Sequence, residues 1–411
     1  MILIIGAGIS GLTVARELRT PFLIFEREDR PGGLAGEYSV DGHTFPFGGH
    51  YFHFQGKEHL LSELQPIAKF RNFYRDSRVF LKNRFIPFPI QYHLSFLDSC
   101  DREAVLRETA AVPAGVAENL QDFLLNHFGD RLYSLFFEPF LQKYYQTDLT
   151  RIMAHMDRGS IPVPDRDQMV RGARGERFRE TGYNPRFYYP RDYSLNRFLD
   201  NYAAPIRPFL KTGEKVIRID LKRKTVITSQ GRYPYRILVN TTPLTSFLSM
   251  TADPRLIEAS RDLRHISTLV VNGVLACRRR RFHWVYIPER RYPGYRIGYY
   301  PTRGRPRFYA EMTVDPRQIP DQSFLEHHVR LLLTATGMIS SPREILFLDH
   351  RLIPVSYILF DHHWAGLVPP LRIKLAASGV YSIGRYGSWD YSSMTDDMVA
   401  AREIAAGLNR R

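Results

Sequence analysis

The sequence predicts an α/β chain: a Rossmann-like nucleotide-binding domain assembled from separated pieces, a helical insertion, and a second domain built on an antiparallel sheet. Three observations predict it. The chain opens with the apolar run Ile2-Leu3-Ile4-Ile5, then Gly6-Ala7-Gly8-Ile9-Ser10-Gly11, then Leu12, Ala15 and Leu18 on one helical face, then Phe22-Leu23-Ile24-Phe25-Glu26. Between residues 216 and 313, short apolar runs alternate with turn residues. From Gly379 to Ala405, a strand, a glycine turn and a helical run repeat the order of the opening.

Each residue of the opening has a physical task. Gly6 allows the tight strand-to-helix turn, Gly8 has no Cβ and lets a pyrophosphate approach, and Gly11 lets helix and strand pack closely. The helix N-terminus offers N–H groups and a positive dipole end to phosphates. Glu26 lies twenty residues after Gly6, where an acid accepts hydrogen bonds from a ribose diol. Gly32-Gly33 follows just past the acid. This arrangement resembles flavoproteins whose Rossmann unit holds FAD, with the second glycine pair near the pyrophosphate. NAD-binding units usually lack that pair, so FAD is the expected cofactor.

Composition sets bounds. With 411 residues, 44% of them hydrophobic, the chain reads as globular with two or three substructures. No apolar run approaches a bilayer span. The first strand begins at Met1, leaving no room for a secretory leader. Cys100 and Cys277 form no CxxC pair, which argues against a disulfide framework or a metal site and fits a reducing cytoplasm. The net charge of +15 has three readings: a solvated Arg-rich surface, an anionic substrate such as a nucleotide diphosphate, or a nucleic-acid or anionic membrane face. No nucleic-acid motif surrounds the basic run Arg278 to Arg281.

In order, Glu37 to Phe45 reads as a hairpin about Asp41-Gly42. Phe47-Gly48-Gly49-His50-Tyr51-Phe52-His53 has two open readings: a backbone passing close to a flat ligand, or a glycine turn with ordinary histidines. Residues 57–70 read as a helix, and Val79 to Pro87 as a hairpin about Lys82-Asn83. Residues 95–160 are mostly helical, with Leu120, Phe123, Leu124 and His127 on one face and Gly129 stopping that helix. Residues 161–190 carry Arg166, Arg171, Arg174, Arg177, Arg179, Tyr183, Tyr188 and Tyr189. They read as a mobile basic loop, over a pocket or at the surface. Strands follow at 216–219, 225–228 and 236–243, the last returning to the nucleotide sheet. Further strands are expected at 269–274, 284–287, 295–300 and 307–312, a sheet that in flavoproteins resembling this one walls the substrate pocket, and residues 322–336 read as a helix. The expected layout is 1–90, 196–245 and 366–411 for the nucleotide domain, 91–160 for the insertion, 161–195 for the loop and sheet entry, and 246–365 for the substrate domain.

Together these motifs resemble the UDP-galactopyranose mutases and, more broadly, the amine oxidase and protoporphyrinogen oxidase group. The glycine motif, Glu26 and Gly32-Gly33 are shared by the whole group. Three stretches lean towards the mutases: Phe47 to His53, Arg84 to Gln91, and Ile383-Gly384-Arg385-Tyr386-Gly387-Ser388-Trp389-Asp390-Tyr391-Ser392-Ser393-Met394. Lys143 to Asp148 matches weakly. Trp389 stands where the mutases carry Tyr, Ser393 where they carry Asp, and Pro164 where bacterial mutases have a substrate-gripping Arg, with Arg166 two residues on. The resemblance implies cofactor contacts at Gly6, Gly8, Ile9, Ser10, Gly11, Glu26, Arg27, Gly33, Leu34, Gly49, His50, Val216, Thr241, Gly384, Arg385, Ser393 and Met394. It implies catalytic roles for His50, Arg385, Tyr391 and Arg166.

The implied reaction interconverts pyranose and furanose forms of a nucleotide-diphosphate sugar through a reduced-flavin N5–sugar adduct, with no net redox change. FAD would be needed in its reduced form, with NAD(P)H as a transient reductant. A homodimer is admitted; nucleic-acid partners and an integral membrane segment are not expected. The rivals are an FAD-dependent oxidoreductase of the amine oxidase or protoporphyrinogen oxidase type, and a flavin protein that binds a sugar nucleotide without turnover.

Overall fold

A computed structural model describes residues 1–111, 116–154, 161–178, 180–182 and 184–410. Five parallel strands form one sheet in the order Val380–Ser382, Ile237–Asn240, Ile2–Ile5, Phe22–Phe25, Leu210–Lys211. Ile2–Ile5 lies in the middle and is buried along its whole length, which is why its sequence shows no polar alternation. Helix Ile9–Glu17 makes the crossover to Phe22–Phe25. The other strands return from more than 180 residues away, as expected for 237–240 and 380–382. Against this sheet the last helix, Met394–Asn409, packs on Ile9–Glu17. One apolar core joins Ile2, Ile4 and Leu12 to Met398, Ala401 and Leu408.

The second sheet has seven strands in the order Ile345–Ile358, His265–Leu275, Arg307–Val314, Arg296–Tyr299, Trp284–Tyr286, Ser77–Leu81, Arg84–Pro87. Its strands between 265 and 314 are those expected. Two features differ. The strand Ile345–Ile358 runs fourteen residues. The hairpin 77–87, which the layout gave to the nucleotide domain, instead extends this sheet through parallel pairing with Trp284–Tyr286. Its turn residues Lys82 and Asn83 have φ of 49° and 60°, the paired left-handed conformation of a tight hairpin turn.

Among the described residues of 161–190, a helix and a strand stand where a loop was expected. Asp165 and Gln168 form a reciprocal capping box that starts helix Arg166–Ala173. Arg186–Pro190 pairs antiparallel with Phe70–Tyr74. Arg179 and Tyr183 lie outside the described residues. The helix expected over 57–70 spans only Glu58–Leu64 before that Phe70–Tyr74 strand begins. In the insertion, Leu120 and Leu124 are buried while His127 is exposed. Gly129 adopts the non-helical φ 71°, ψ 171° and so breaks the helix where it was expected to stop, a second helical segment continuing beyond the kink to Leu132. A Cβ there would lie 2.7 Å from Glu108 Cβ. The helix His362–Ala377 was not anticipated. No helix among the described residues is long and apolar enough to cross a membrane.

Candidate active site

The glycine motif forms a cradle. Gly6 has φ 94° and is braced by the Thr241 hydroxyl, which donates to Ile5 O at 2.9 Å and Gly6 O at 3.0 Å. A Cβ on Gly11 would lie 2.0 Å from Gly6 O, whereas a Cβ on Gly8 would meet nothing within 4 Å. The first position therefore serves helix–strand packing, and the second faces open space. Gly8 caps the helix without a side-chain hydrogen bond, so the helix N–H groups stay available. Gly32 N donates to Ala7 O at 2.8 Å, which lays the second glycine pair beside Gly8. Glu26 is buried at the end of the second strand and accepts from Ala7 N at 2.8 Å and Glu28 N at 3.0 Å. A carboxylate has further lone pairs on both oxygens, so these bonds leave capacity for a diol.

The C-terminal turn is packed onto this cradle. Gly384 has φ 79°, and a Cβ there would sit 2.4 Å from Ser10 Oγ. Helix Met394–Asn409 begins one residue before the expected Thr395. Its first turn is not bare: Ser393 and Asp396 form a capping box, and Asp396 pairs with Lys57 at 2.7 Å. The Thr395 hydroxyl donates to His53 O at 2.6 Å and so ties this end to the Gly48–His53 loop. In that loop a Cβ on Gly48 would lie 3.1 Å from Glu311 Oε1, and one on Gly49 would lie 2.9 Å from the Tyr309 hydroxyl. Close packing against the seven-stranded sheet thus accounts for both glycines. His50 Nδ1 is buried without a hydrogen-bond partner. Burial, then the charges of Arg385 and Arg296, pull the His50 imidazole down to about 4.

Next to these elements lies a cavity that opens to solvent. Part of its lining is apolar and comes from the insertion, Phe136, Phe137, Phe140 and Leu141, with Phe88, just past the 77–87 hairpin, also contributing. The lining also includes Arg385, Arg296, Tyr357 and Tyr391. Gln91 also lines it, almost fully buried; its Nε2 donates to Pro162 O at 2.6 Å and its Oε1 has no partner. Two cations share this space and differ in one respect. Arg296 makes a bidentate pair with buried Glu311, at 2.7 and 2.8 Å. Arg385 donates to Ser392 O at 2.8 Å and stacks over Tyr391, Tyr357 and Tyr386 at 4.4, 5.0 and 5.7 Å. No carboxylate forms an ion pair with Arg385 among the described residues, although the buried Asp397 lies close enough to feel its charge.

Residues 4–64 match the NAD(P)-binding Rossmann-like domain family. A crystal structure of reduced UDP-galactopyranose mutase superposes with a TM-score of 0.91 at 21% identity, over 99% of this chain and 95% of that one. The chain has the fold of that mutase. A candidate protoporphyrinogen oxidase from Exiguobacterium sp. 255-15 gives a TM-score of 0.74 at 15% identity, over 99% and 98% of the two chains. Cyclohexylamine oxidase from Brevibacterium oxydans IH-35A gives 0.70 at 13%, over 100% and 98%.

On this mutase fold the expected site residues separate into groups. Gly6, Gly8, Ile9, Ser10, Gly11, Glu26 and Gly33 surround the cradle, with Thr241 and Gly384 bracing it. Leu34, half-buried, follows Gly33. Val216 is buried in the same apolar core as Leu3 and Ile5. Arg27 stands at the surface, bonded to Glu28 at 2.9 Å. Ser393 and Met394 form the start of the last helix, Ser393 as its cap. Gly49 and His50 lie in the loop tied to that helix. Arg385 and Tyr391 line the cavity together; Arg166 does not, since the capping box directs it to the exposed first position of its helix. Trp389 is fully buried in the core, its carbonyl accepting from Trp364 Nε1 at 2.7 Å, and does not line the cavity. Sequence reasoning missed Arg296, Glu311 and Gln91 as site residues. A signal existed for the first two, because opposite charges stand in otherwise apolar strands, and the register places them directly opposite.

These residues fit a dinucleotide carrying a flat ring. The open face at Gly8, the free helix end, the spare capacity of Glu26 and the orphaned His50 Nδ1 are the features such a group would use.

Proposed function

We propose that this protein is an FAD-dependent mutase that interconverts pyranose and furanose forms of a nucleotide-linked sugar. The observation that carries the reading is Arg385: a partly buried guanidinium without a carboxylate partner, facing a cavity beside the nucleotide cradle. Such a cation calls for an anionic ligand, and a diphosphate matches its planar fork of donors. Arg296 is already matched by Glu311, so its charge is largely spent within the protein. The likeness to the mutase, closer than that to either oxidase, supports the same reading.

FAD held in the cradle would, in its reduced form with NAD(P)H as reductant, offer a nucleophile towards the anomeric carbon of a bound nucleotide sugar. The protein's residues do the rest. Arg385 neutralises the diphosphate that departs and returns, and Tyr391, stacked under its guanidinium, hydrogen-bonds the same oxygens. The apolar lining offers Phe136, Phe137 and Phe140 as a stacking surface for the base, and the unpartnered Gln91 Oε1 accepts one base N–H. His50, held neutral, keeps positive charge from accumulating beside the two arginines.

The test is direct. The purified protein should show a flavin spectrum, and nucleotide hexoses should change ring size only after dithionite reduction, as read by chromatography. Arg385→Gln should weaken nucleoside diphosphate binding by roughly a hundredfold. Oxygen uptake with an amine or a porphyrinogen would favour an oxidase instead. A colourless protein that takes up no FAD would end the proposal.

A further inference from the structure

Two aspartates stand side by side in the first turn of helix Met394–Asn409, and only one of them is accounted for by capping. Asp396 closes the capping box with Ser393 and pairs with Lys57. Asp397 is buried, 9% exposed. Its Oδ1 accepts from the Ser392 hydroxyl at 2.6 Å. The Ser392 carbonyl in turn accepts from Arg385 Nη1 at 2.8 Å. Arg385 is held at its backbone too, since its carbonyl accepts from Asp390 N at 3.0 Å. The loop 388–393 therefore closes on Arg385 from both ends, and Asp397 anchors it from beneath. Burying a carboxylate is costly. Here desolvation pushes Asp397 up to about 6, although Ser392 and Arg385 favour its charge; Asp396 and the Tyr386 phenol also face it.

We propose that Asp397 is a positioning residue for the diphosphate site, acting through Ser392 to fix the guanidinium of Arg385 in the orientation that meets the anion. The inference rests on the reading of Arg385 as a diphosphate ligand. The physical argument is preorganisation. A free arginine side chain gives up much rotamer freedom when it engages a ligand, and a residue already held in place gives up less.

The test uses the FAD-loaded full chain with UDP as probe, by calorimetry at pH 8, where Asp397 is ionised. Asp397→Ala should weaken UDP binding about tenfold. Asp397→Asn should stay within about threefold, because its amide oxygen still accepts from Ser392. Ser392→Ala should match Asp397→Ala, and the double variant should be no weaker than either single one. In an Arg385→Gln background, Asp397→Ala should cause no further loss; a residue that merely supported the fold would cost the same in both backgrounds. Flavin content and melting temperature identify variants that fail to fold, and if Asp397→Ala is one, Ser392→Ala in both backgrounds decides. UDP affinity unchanged in Asp397→Ala, or an equal loss in both backgrounds, overturns the positioning role. Unchanged affinity in Arg385→Gln alone would overturn the diphosphate reading beneath it.

Discussion

Burial changes what individual titratable side chains do. His50, His53 and His283 are each pulled down to about 4, chiefly by desolvation. For His283 the geometry gives the reason directly: its Nδ1 accepts from Asp76 N at 3.0 Å, so it must stay unprotonated to keep that bond. The sign follows from linkage. Between pH 6.5 and about 4 the unfolded chain binds protons that the folded protein does not, so stability is full above 6.5 and is lost as pH falls through that window. Each histidine contributes up to about 3 kcal/mol. Asp397 opposes them: held near 6, it takes up a proton in the folded state first, and its effect raises stability as pH falls. Burial lowers His93 and His265 as well and raises Glu37 alongside Asp397, so five histidines against two carboxyls predict a net loss. The urea midpoint should drop between pH 7 and 5, and His283→Gln should reduce that drop; a flat profile would contradict it.

At the scale of elements, the strand–turn–helix of residues 2–17 uses its glycines for different purposes, and substitution separates them. Gly11→Ala forces a Cβ to within 2.0 Å of Gly6 O, a backbone atom that cannot swing aside. It should destabilise the fold by about 3 kcal/mol and lower flavin content with it. Gly8 has φ −70°, which any residue can adopt, and space around it. Gly8→Ala should leave the melting temperature of the flavin-free protein unchanged while weakening FAD binding at least tenfold, read by flavin retention on gel filtration. Equal retention in the wild type and Gly8→Ala would show that nothing approaches this backbone.

Over the whole molecule, the two ends of the chain build the same site. Met398 is fully buried against the first helix, Arg402 pairs with Glu17 at 3.2 Å, and Asn409 Nδ2 donates to Glu17 O at 2.8 Å. The last helix thus supports the cradle from behind while its loop carries Arg385 and Tyr391. Met398→Ala should cost about 3 kcal/mol and lower FAD affinity, although Met398 lines no part of the cavity. Thermal denaturation with and without added FAD measures both effects.

The sequence alone determined the glycine cradle, its acid, the returning strands and the pairing of Arg385 with Tyr391. These rest on local rules: glycine where a turn or a close approach demands it, apolar runs where a strand is buried on both faces, and residues near one another in the chain. It also held, unread, the Asp165–Gln168 capping signal that makes a helix of the supposed loop and carries Arg166 to the surface. Only the tertiary structure decided which arginine is free and which is matched. Arg296 looks as available as Arg385 along the chain, but Glu311 faces it from the neighbouring strand, fifteen residues on. Gln91, Phe136 and Arg385 meet in one cavity because sheet register and helix packing bring them there, and long-range pairing leaves no mark in local spacing.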